Sequence, residues 1–249
     1  MQYIFRNGSF LDEAKRAGQG FFNVLNPLTW GEPPMNKFIT FEGVEGSGKS
    51  TQLKLLGEYL TGKNVPVLLT QEPSGTPIGR KIGEILFNRG HQAMCPETEL
   101  FLFCAARAQH VREVVWPALK EGKYVLCDRF SDATFAYQAA GRGLNPDFIQ
   151  TINDYCAERL KPDLTLLFDL PVETGLQRAG RRDDLLKDPS SADRFEKEKL
   201  DFHNRVRQGY QSLCSADPGR FRVIDASRTV DIIAQDVRRY VMAFIQSQS

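Results

Sequence analysis

The run Gly43-Val44-Glu45-Gly46-Ser47-Gly48-Lys49-Ser50-Thr51 constrains this chain more than any other stretch, because it fits the pattern G-x-x-x-x-G-K-[ST]. Before it, Lys37-Phe38-Ile39-Thr40-Phe41 is a β-type segment; after it, Leu53, Leu56 and Leu60 recur at helical spacing. A strand feeding a glycine-rich turn and then a helix N-terminus makes an anion cradle. The glycines let backbone N–H groups converge, and the helix dipole adds positive potential. A chance glycine-rich turn would not be bracketed in this way on both sides. The pattern predicts that residues 43–51 wrap the phosphates of a nucleoside triphosphate. Lys49 would reach the β- and γ-phosphates, and the Ser50 hydroxyl would ligate Mg²⁺.

The rest of the chain repeats the alternation that this motif starts. Short, nearly continuous apolar runs at 65–69, 124–128, 164–169 and 221–225 read as strands covered on both faces. Helical patterns at 78–87, 98–119, 146–158, 172–179, 195–214 and 230–245 separate them. The expected fold is α/β: a P-loop NTPase three-layer sandwich with a central five-stranded parallel sheet, helices on both faces and an arginine-bearing lid. Ligands should gather at the carboxyl ends of the strands.

Composition removes several function classes. Lysine and arginine number 32 against 31 acids, so no global basic field calls for nucleic acid. No apolar run approaches the ~18 residues of a membrane span, and no leader pattern opens the chain. Cys95, Cys104, Cys127, Cys156 and Cys214 are scattered without C-x-x-C spacing, which reads as reduced, buried thiols in a cytoplasmic protein. The length suits one large domain with an appendage. Residues 1–36 stand apart as that appendage: a short helix at 10–17 capped by Ser9, then breakers at Pro27, Gly31, Pro33 and Pro34. Met35 directly precedes the first strand, so the segment reads as an extension from start-site choice or as a docking segment. Residues 37–249 form the main domain.

Further groups carry chemistry. Asp128 ends a strand, the position of a carboxylate that organises Mg²⁺, and Arg129 beside it could bind a phosphate bidentately. A plain surface Asp-Arg pair is the bland alternative. Phe103 and Arg107 are four apart in a helical segment and share a face, as a stacking plate and a base-reading guanidinium would. Spacing alone reads Phe103 more readily as core than as a binding plate. Arg178, Arg181 and Arg182 precede a polar stretch broken by Pro189, which suggests a lid over about 178–194; a solvated charge run is the alternative. Glu72-Pro73-Ser74-Gly75-Thr76-Pro77 is a turn-forming loop at the same sheet edge.

Together these stretches resemble the thymidylate kinase family, bacterial type, from Asn36 to about Phe244. The matching runs are Phe41 to Gln52, Glu72 to Pro77, Phe103 to His110, Asp128-Arg129-Phe130, Tyr137-Gln138 with Gly141 to Leu144, and Asp193 to Glu196. The resemblance implies transfer of the γ-phosphoryl group of Mg-ATP to dTMP in dTTP biosynthesis, by a homodimer. It implies roles too: Glu45 near the acceptor's 3′-hydroxyl, Phe103 stacked on thymine, and Arg107 on its O4. Arg129 would hold the acceptor phosphate, Thr134 and Gln138 would line the base site, and Tyr137 would crowd the 2′ position. No arginine lies between Gly43 and Gly48, so the lid would supply the catalytic guanidinium. Gln71, Ser74 and Ala106 depart from residues that are frequent in the family. The expected consequences are weaker acceptor-phosphate binding and a less firmly oriented Arg107. The rivals are a kinase for another nucleotide, a P-loop ATPase or switch regulating a partner, and a binding-only relative. A guanine switch would need an Asn-Lys-x-Asp motif, and Asn36-Lys37-Phe38-Ile39 lacks the aspartate and precedes the first strand.

Overall fold

The computed structural model describes residues 37–186, 194, 195 and 198–248. Five strands form one sheet: β1 Phe38–Glu42, β2 Val67–Gln71, β3 Tyr124–Asp128, β4 Leu164–Asp169 and β5 Phe221–Asp225. Their order is β2-β3-β1-β4-β5, and every pairing is parallel. Parallel strands need crossovers, and the crossovers cover both faces, so the central strand can be apolar throughout. β1 is buried at every position. Because side chains alternate along a strand, its residues feed two cores. Ile39 and Phe41 join Leu126, Leu53, Leu56 and Leu60 on one face. Phe38 joins Val125, Cys127, Val115 and Trp116 on the other. The buried Thr40 hydroxyl meets that of Thr165 at 2.9 Å, so neither polar group is stranded between β1 and β4.

Among the described residues the helices are α1 Lys49–Gly62, α2 Pro77–Phe87, α3 Pro96–His110, α4 Trp116–Lys120, α5 Ser131–Thr134, α6 Pro146–Cys156, α7 Val172–Leu186, α8 Leu200–Ala216 and α9 Val230–Gln246. The sequence explains their starts. Thr76 accepts the Gly79 N–H at 2.9 Å with Pro77 in the first turn, and Asn145 accepts the Phe148 N–H at 3.0 Å with Pro146 in the first turn. The fold class expected from the motif and the alternation is the one observed.

Several boundaries differ from the sequence reading; the helix expected at 195–214 runs over Leu200–Ala216, and the one expected at 146–158 ends at Cys156. The second strand begins at Val67, not at 65, because the Val65 N–H closes the end of α1 on Leu60 O and Pro66 has no N–H to give the ladder. The expected helix at 98–119 widens into a π-helical turn, Val111–Val115, just before Pro117 enters α4. A helical segment after β3 was not legible: α5 runs into a π-helical stretch, Phe135–Gly141. The helix expected to end at 179 continues to Leu186, since the residues after Gly180 are good helix formers and no proline intervenes before Pro189. Residues 178–186 are therefore helix, not loop, and 187–193 of the expected lid lie outside the described residues, as does all of 1–36. All five cysteines are free, but only Cys104 and Cys127 are buried.

Candidate active site

The carboxyl ends of the strands bring the chemistry-bearing residues to one edge. β1 runs into the glycine-rich loop, whose tight packing is visible at Gly46. Its φ is +67°, and a Cβ there would lie 1.9 Å from the Gly175 carbonyl oxygen in the first turn of α7. Val44 and Ser47 are buried, and Thr51 is exposed one turn into α1. Lys49 spans the loop from within: its Nζ donates to Gly43 O at 3.0 Å, Val44 O at 2.8 Å and Ser47 Oγ at 3.2 Å. Burial, and then the charge of Arg129, lower its pKa to about 8. The Ser50 hydroxyl donates to the Asp128 carboxylate, so two hard oxygen groups meet at the loop mouth. A hydroxyl and a carboxylate suit Mg²⁺, which takes few protein ligands and keeps waters and phosphates for the rest.

Arg129 follows directly with φ +67°, a left-handed turn that is uncommon for a residue with a Cβ. Its N–H still bonds Phe41 O at 3.0 Å, and its side chain turns back over the glycine-rich loop. Nη1 donates to Gly43 O and to the Tyr210 hydroxyl, each at 3.2 Å, and Nη2 approaches Glu45 at 3.4 Å. The Tyr137 ring lies 4.9 Å beneath the guanidinium, and its hydroxyl donates to Glu45 Oε1. Burial would raise the Glu45 pKa; the His203 imidazole, with Nδ1 3.3 Å from Oε2, the charge of Arg129 and the hydrogen bond from Tyr137 outweigh it and hold the carboxyl at about 2. The Tyr210 hydroxyl donates to Glu42 Oε2 at 2.8 Å, and Glu42 Oε1 accepts the Phe130 N–H at 2.7 Å.

Arg107 is almost fully buried and joins four parts of the chain. Nε donates to Glu72 at 2.9 Å, Nη1 to Asn153 Oδ1 at 2.7 Å, and Nη2 to Thr134 Oγ1 at 2.9 Å and Phe130 O at 3.1 Å. His110 Nδ1 lies 3.2 Å from the other Glu72 oxygen. The expected looseness of Arg107 is thus corrected. Glu72 and Asn153 hold it, while Ala106 points into the core with no exposure.

Phe103 is half-buried, with its ring 6.4 Å from that of Phe87 and 6.1 Å from that of Phe195. A cavity of about 110 Å³ is lined by Glu45, Phe103, Arg107, Arg129, Thr134 and Tyr137 among others. Gln138 lines it as well, but its amide nitrogen is committed to Glu99 at 2.8 Å.

The lid arginines fare differently. Arg178 points to the loop after β5, donating to Ala226 O at 2.7 Å and Ser227 O at 3.1 Å, and not toward the glycine-rich loop. Arg181 and Arg182 lie on the α7 backbone, and their side chains fall outside the described part. Sequence reasoning missed Glu42, Glu72, Asn153, His203 and Tyr210 as site-building residues. Two carried a signal: Glu42, the acid that closes β1 just before the glycine-rich loop, and Glu72, directly after β2 and before a Pro-Ser-Gly turn.

The family model described as thymidylate kinase matches residues 41–237. A thymidylate kinase of Syntrophus aciditrophicus is 50% identical over 207 residues, covering 83% of this chain and 94% of the relative. One from Trichlorobacter lovleyi is 53% identical over 190 residues, covering 76% and 89%. The crystal structure of a thymidylate kinase from Ehrlichia chaffeensis superimposes with a TM-score of 0.65 at 32% identity, covering 82% of this chain and 97% of that one. The family model spans most of the chain and relatives half identical to it cover more than three quarters of it, so the chain belongs to the thymidylate kinase family.

Proposed function

We propose that this chain transfers the γ-phosphoryl group of ATP to dTMP, giving ADP and dTDP, a step toward dTTP. One observation carries the reading: a cavity lined by Phe103, Arg107, Arg129 and Tyr137 opens beside the loop that Lys49 spans. Donor and acceptor phosphates therefore have neighbouring sites. The acceptor phosphate is already an anion, so positioning and charge neutralisation carry the catalysis and no nucleophilic side chain is required.

In this reading the N–H groups of Gly43 to Thr51 hold the donor phosphates, and Lys49 exchanges its carbonyl partners for phosphate oxygens. Arg129, preset by its left-handed turn, holds and aims the acceptor phosphate. Phe103 stacks on the base, and Arg107 offers a hydrogen bond to its O4, with Thr134 and Gln138 completing the base site. Tyr137, fixed by Glu45 and Arg129, leaves little room for a 2′-hydroxyl. Ser50 and Asp128 would hold Mg²⁺, which supplies positive charge to the phosphate oxygens when bound. Arg178 steadies the loop after β5, so Arg181 and Arg182 are the lid's charge-neutralising groups.

The kinase domain spans residues 37–249, with 1–36 outside it. Exposed apolar side chains Ile78 and Ile85 on α2, Phe101 on α3 and Phe148 on α6 support a homodimer. Among the described residues no helix is long and apolar enough to cross a membrane. With five free thiols, that supports a cytoplasmic location.

The test is a coupled ADP-release assay with Mg-ATP against dTMP, dUMP, dCMP, dGMP, AMP, UMP and thymidine. Strong turnover with dTMP, poor turnover with UMP and none with thymidine is expected. ADP release at one rate with or without an acceptor would replace this reading with a P-loop ATPase.

A further inference from the structure

Glu99 on α3 has no exposure, and each of its carboxylate oxygens accepts two hydrogen bonds. Oε1 takes Gln138 Nε2 at 2.8 Å and Arg142 Nε at 3.1 Å; Oε2 takes Arg142 Nη2 at 2.9 Å and Arg194 Nη2. One buried carboxylate thus holds two guanidinium groups, that of Arg142 by a two-pronged fork. The remaining nitrogen of Arg142 pairs with Glu198 at 2.6 Å. Arg194 is also tied to the end of α2, its N–H 3.3 Å from Phe87 O and its Nε 3.2 Å from Leu86 O. The proposed reaction gives no task to Glu99, Arg142 or Arg194. Yet both guanidinium groups meet one ring: the Phe195 centroid lies 4.7 Å from Arg194 and 5.6 Å from Arg142. That ring lines the cavity. Its centroid is 6.1 Å from that of Phe103, 6.2 Å from Phe87 and 5.7 Å from Tyr137. Glu99 and Phe103 are four residues apart on α3, so the carboxylate and the plate share one helix face. A buried ionic cluster gains little stability over an apolar core of the same volume. What it adds here is one fixed setting of two flat cations against the Phe195 ring.

We propose that Phe195 is a wall of the acceptor's base site and that Glu99 is its positioning residue, acting through Arg142 and Arg194. The inference rests on the proposed dTMP kinase activity and deepens it, because it names what keeps the base cavity in shape. Phe195 meets the planar pyrimidine and backs the Phe103 plate. Glu99 touches neither substrate; it holds the two guanidinium groups that hold the ring. The run from Asp193 to Glu196 thereby gains a task at the acceptor base, carried by Arg194 and Phe195.

The experiment measures kcat and the KM values for dTMP and ATP in wild type, Glu99→Gln, Phe195→Leu and the double variant. Each single substitution is expected to raise the KM for dTMP about tenfold, with kcat and the KM for ATP staying within about twofold. Both changes act through one ring, so the double variant is expected to lose no more than the worse single one. Losses that multiply to about a hundredfold in the double variant overturn the proposal. So does an unchanged KM for dTMP, or a change in kcat and the KM for ATP as large as that in the KM for dTMP, which is what a merely structural role would give. Should Glu99→Gln fail to fold, Arg194→Lys decides, since it keeps a positive charge beside Glu99 and removes the flat guanidinium from Phe195. It is expected to raise the KM for dTMP several-fold with the same sparing of ATP, and an unchanged KM overturns the inference. A wild type that transfers no phosphoryl group to dTMP overturns the activity and the inference with it; multiplying losses in an active enzyme overturn the inference alone.

Discussion

Glu42 ends β1 with no exposure, and its carboxyl is pushed up to about 8 by burial and then by the charge of Asp132, against the pull of Arg129. A folded pKa above the ordinary 4.5 means that the native state holds a proton which the unfolded chain has released. Between pH 4.5 and 8 stability therefore falls as pH rises, by up to about 1.4 kcal/mol per unit from this group. Urea unfolding from pH 5 to 8 should show wild type losing stability relative to Glu42→Gln, and a constant difference would contradict the assignment. Lys49 gives a prediction about binding. Its pKa of about 8 should rise when phosphates arrive, so ATP binding at pH 9 should take up about one proton, and this lysine should contribute none near pH 6.5. Calorimetry in buffers of different ionisation enthalpy measures that uptake, and an absence of uptake at pH 9 would contradict it. At this scale the sequence was readable wherever a residue sat in a motif, as Glu45, Arg107, Arg129 and Tyr137 did. It was silent on Asn153, His203 and Tyr210, because each acquires its role from a partner that only the fold brings near.

Elements fit against the glycine-rich loop with almost no slack, and Gly175 shows why. A Cβ on that residue would meet the Glu45 carbonyl oxygen at 2.4 Å, while Gly46 approaches from the other side. Gly175→Ala must push α7 and the loop apart. It is expected to cost about 1–3 kcal/mol of stability and to raise the KM for ATP several-fold, because backbone N–H groups lose their convergence. Unfolding curves and ATP titrations check both, and an unchanged variant would show that α7 does not brace the loop. Strand and helix identities were legible from apolar runs and spacing. Their ends were set by particular residues: Pro66 delays β2, and Pro117 follows a widened turn. The helical stretch from Ser131 to Gly141 carries Thr134, Tyr137 and Gln138. It escaped notice because small and polar residues blur its periodicity.

Across the whole molecule, one sheet edge gathers groups that are far apart in sequence. β1 delivers the phosphate loop, β2 delivers Glu72, β3 delivers Asp128 and Arg129, and α3 and α6 lock Arg107 into the cavity wall. The strand order places β3 beside β1, so the Asp128–Arg129 turn stands next to the loop. That adjacency follows from topology and could be anticipated from the fold class, whereas the ion-paired Arg107–Glu72 wall of the cavity could not. It also makes the central claim directly measurable. With ATP labelled at the γ-phosphorus and dTMP present, wild-type protein should convert the label into dTDP in step with ADP formation, and Lys49→Met should reduce that transfer by about two or more orders of magnitude. Label appearing as inorganic phosphate at a rate indifferent to dTMP would contradict the account.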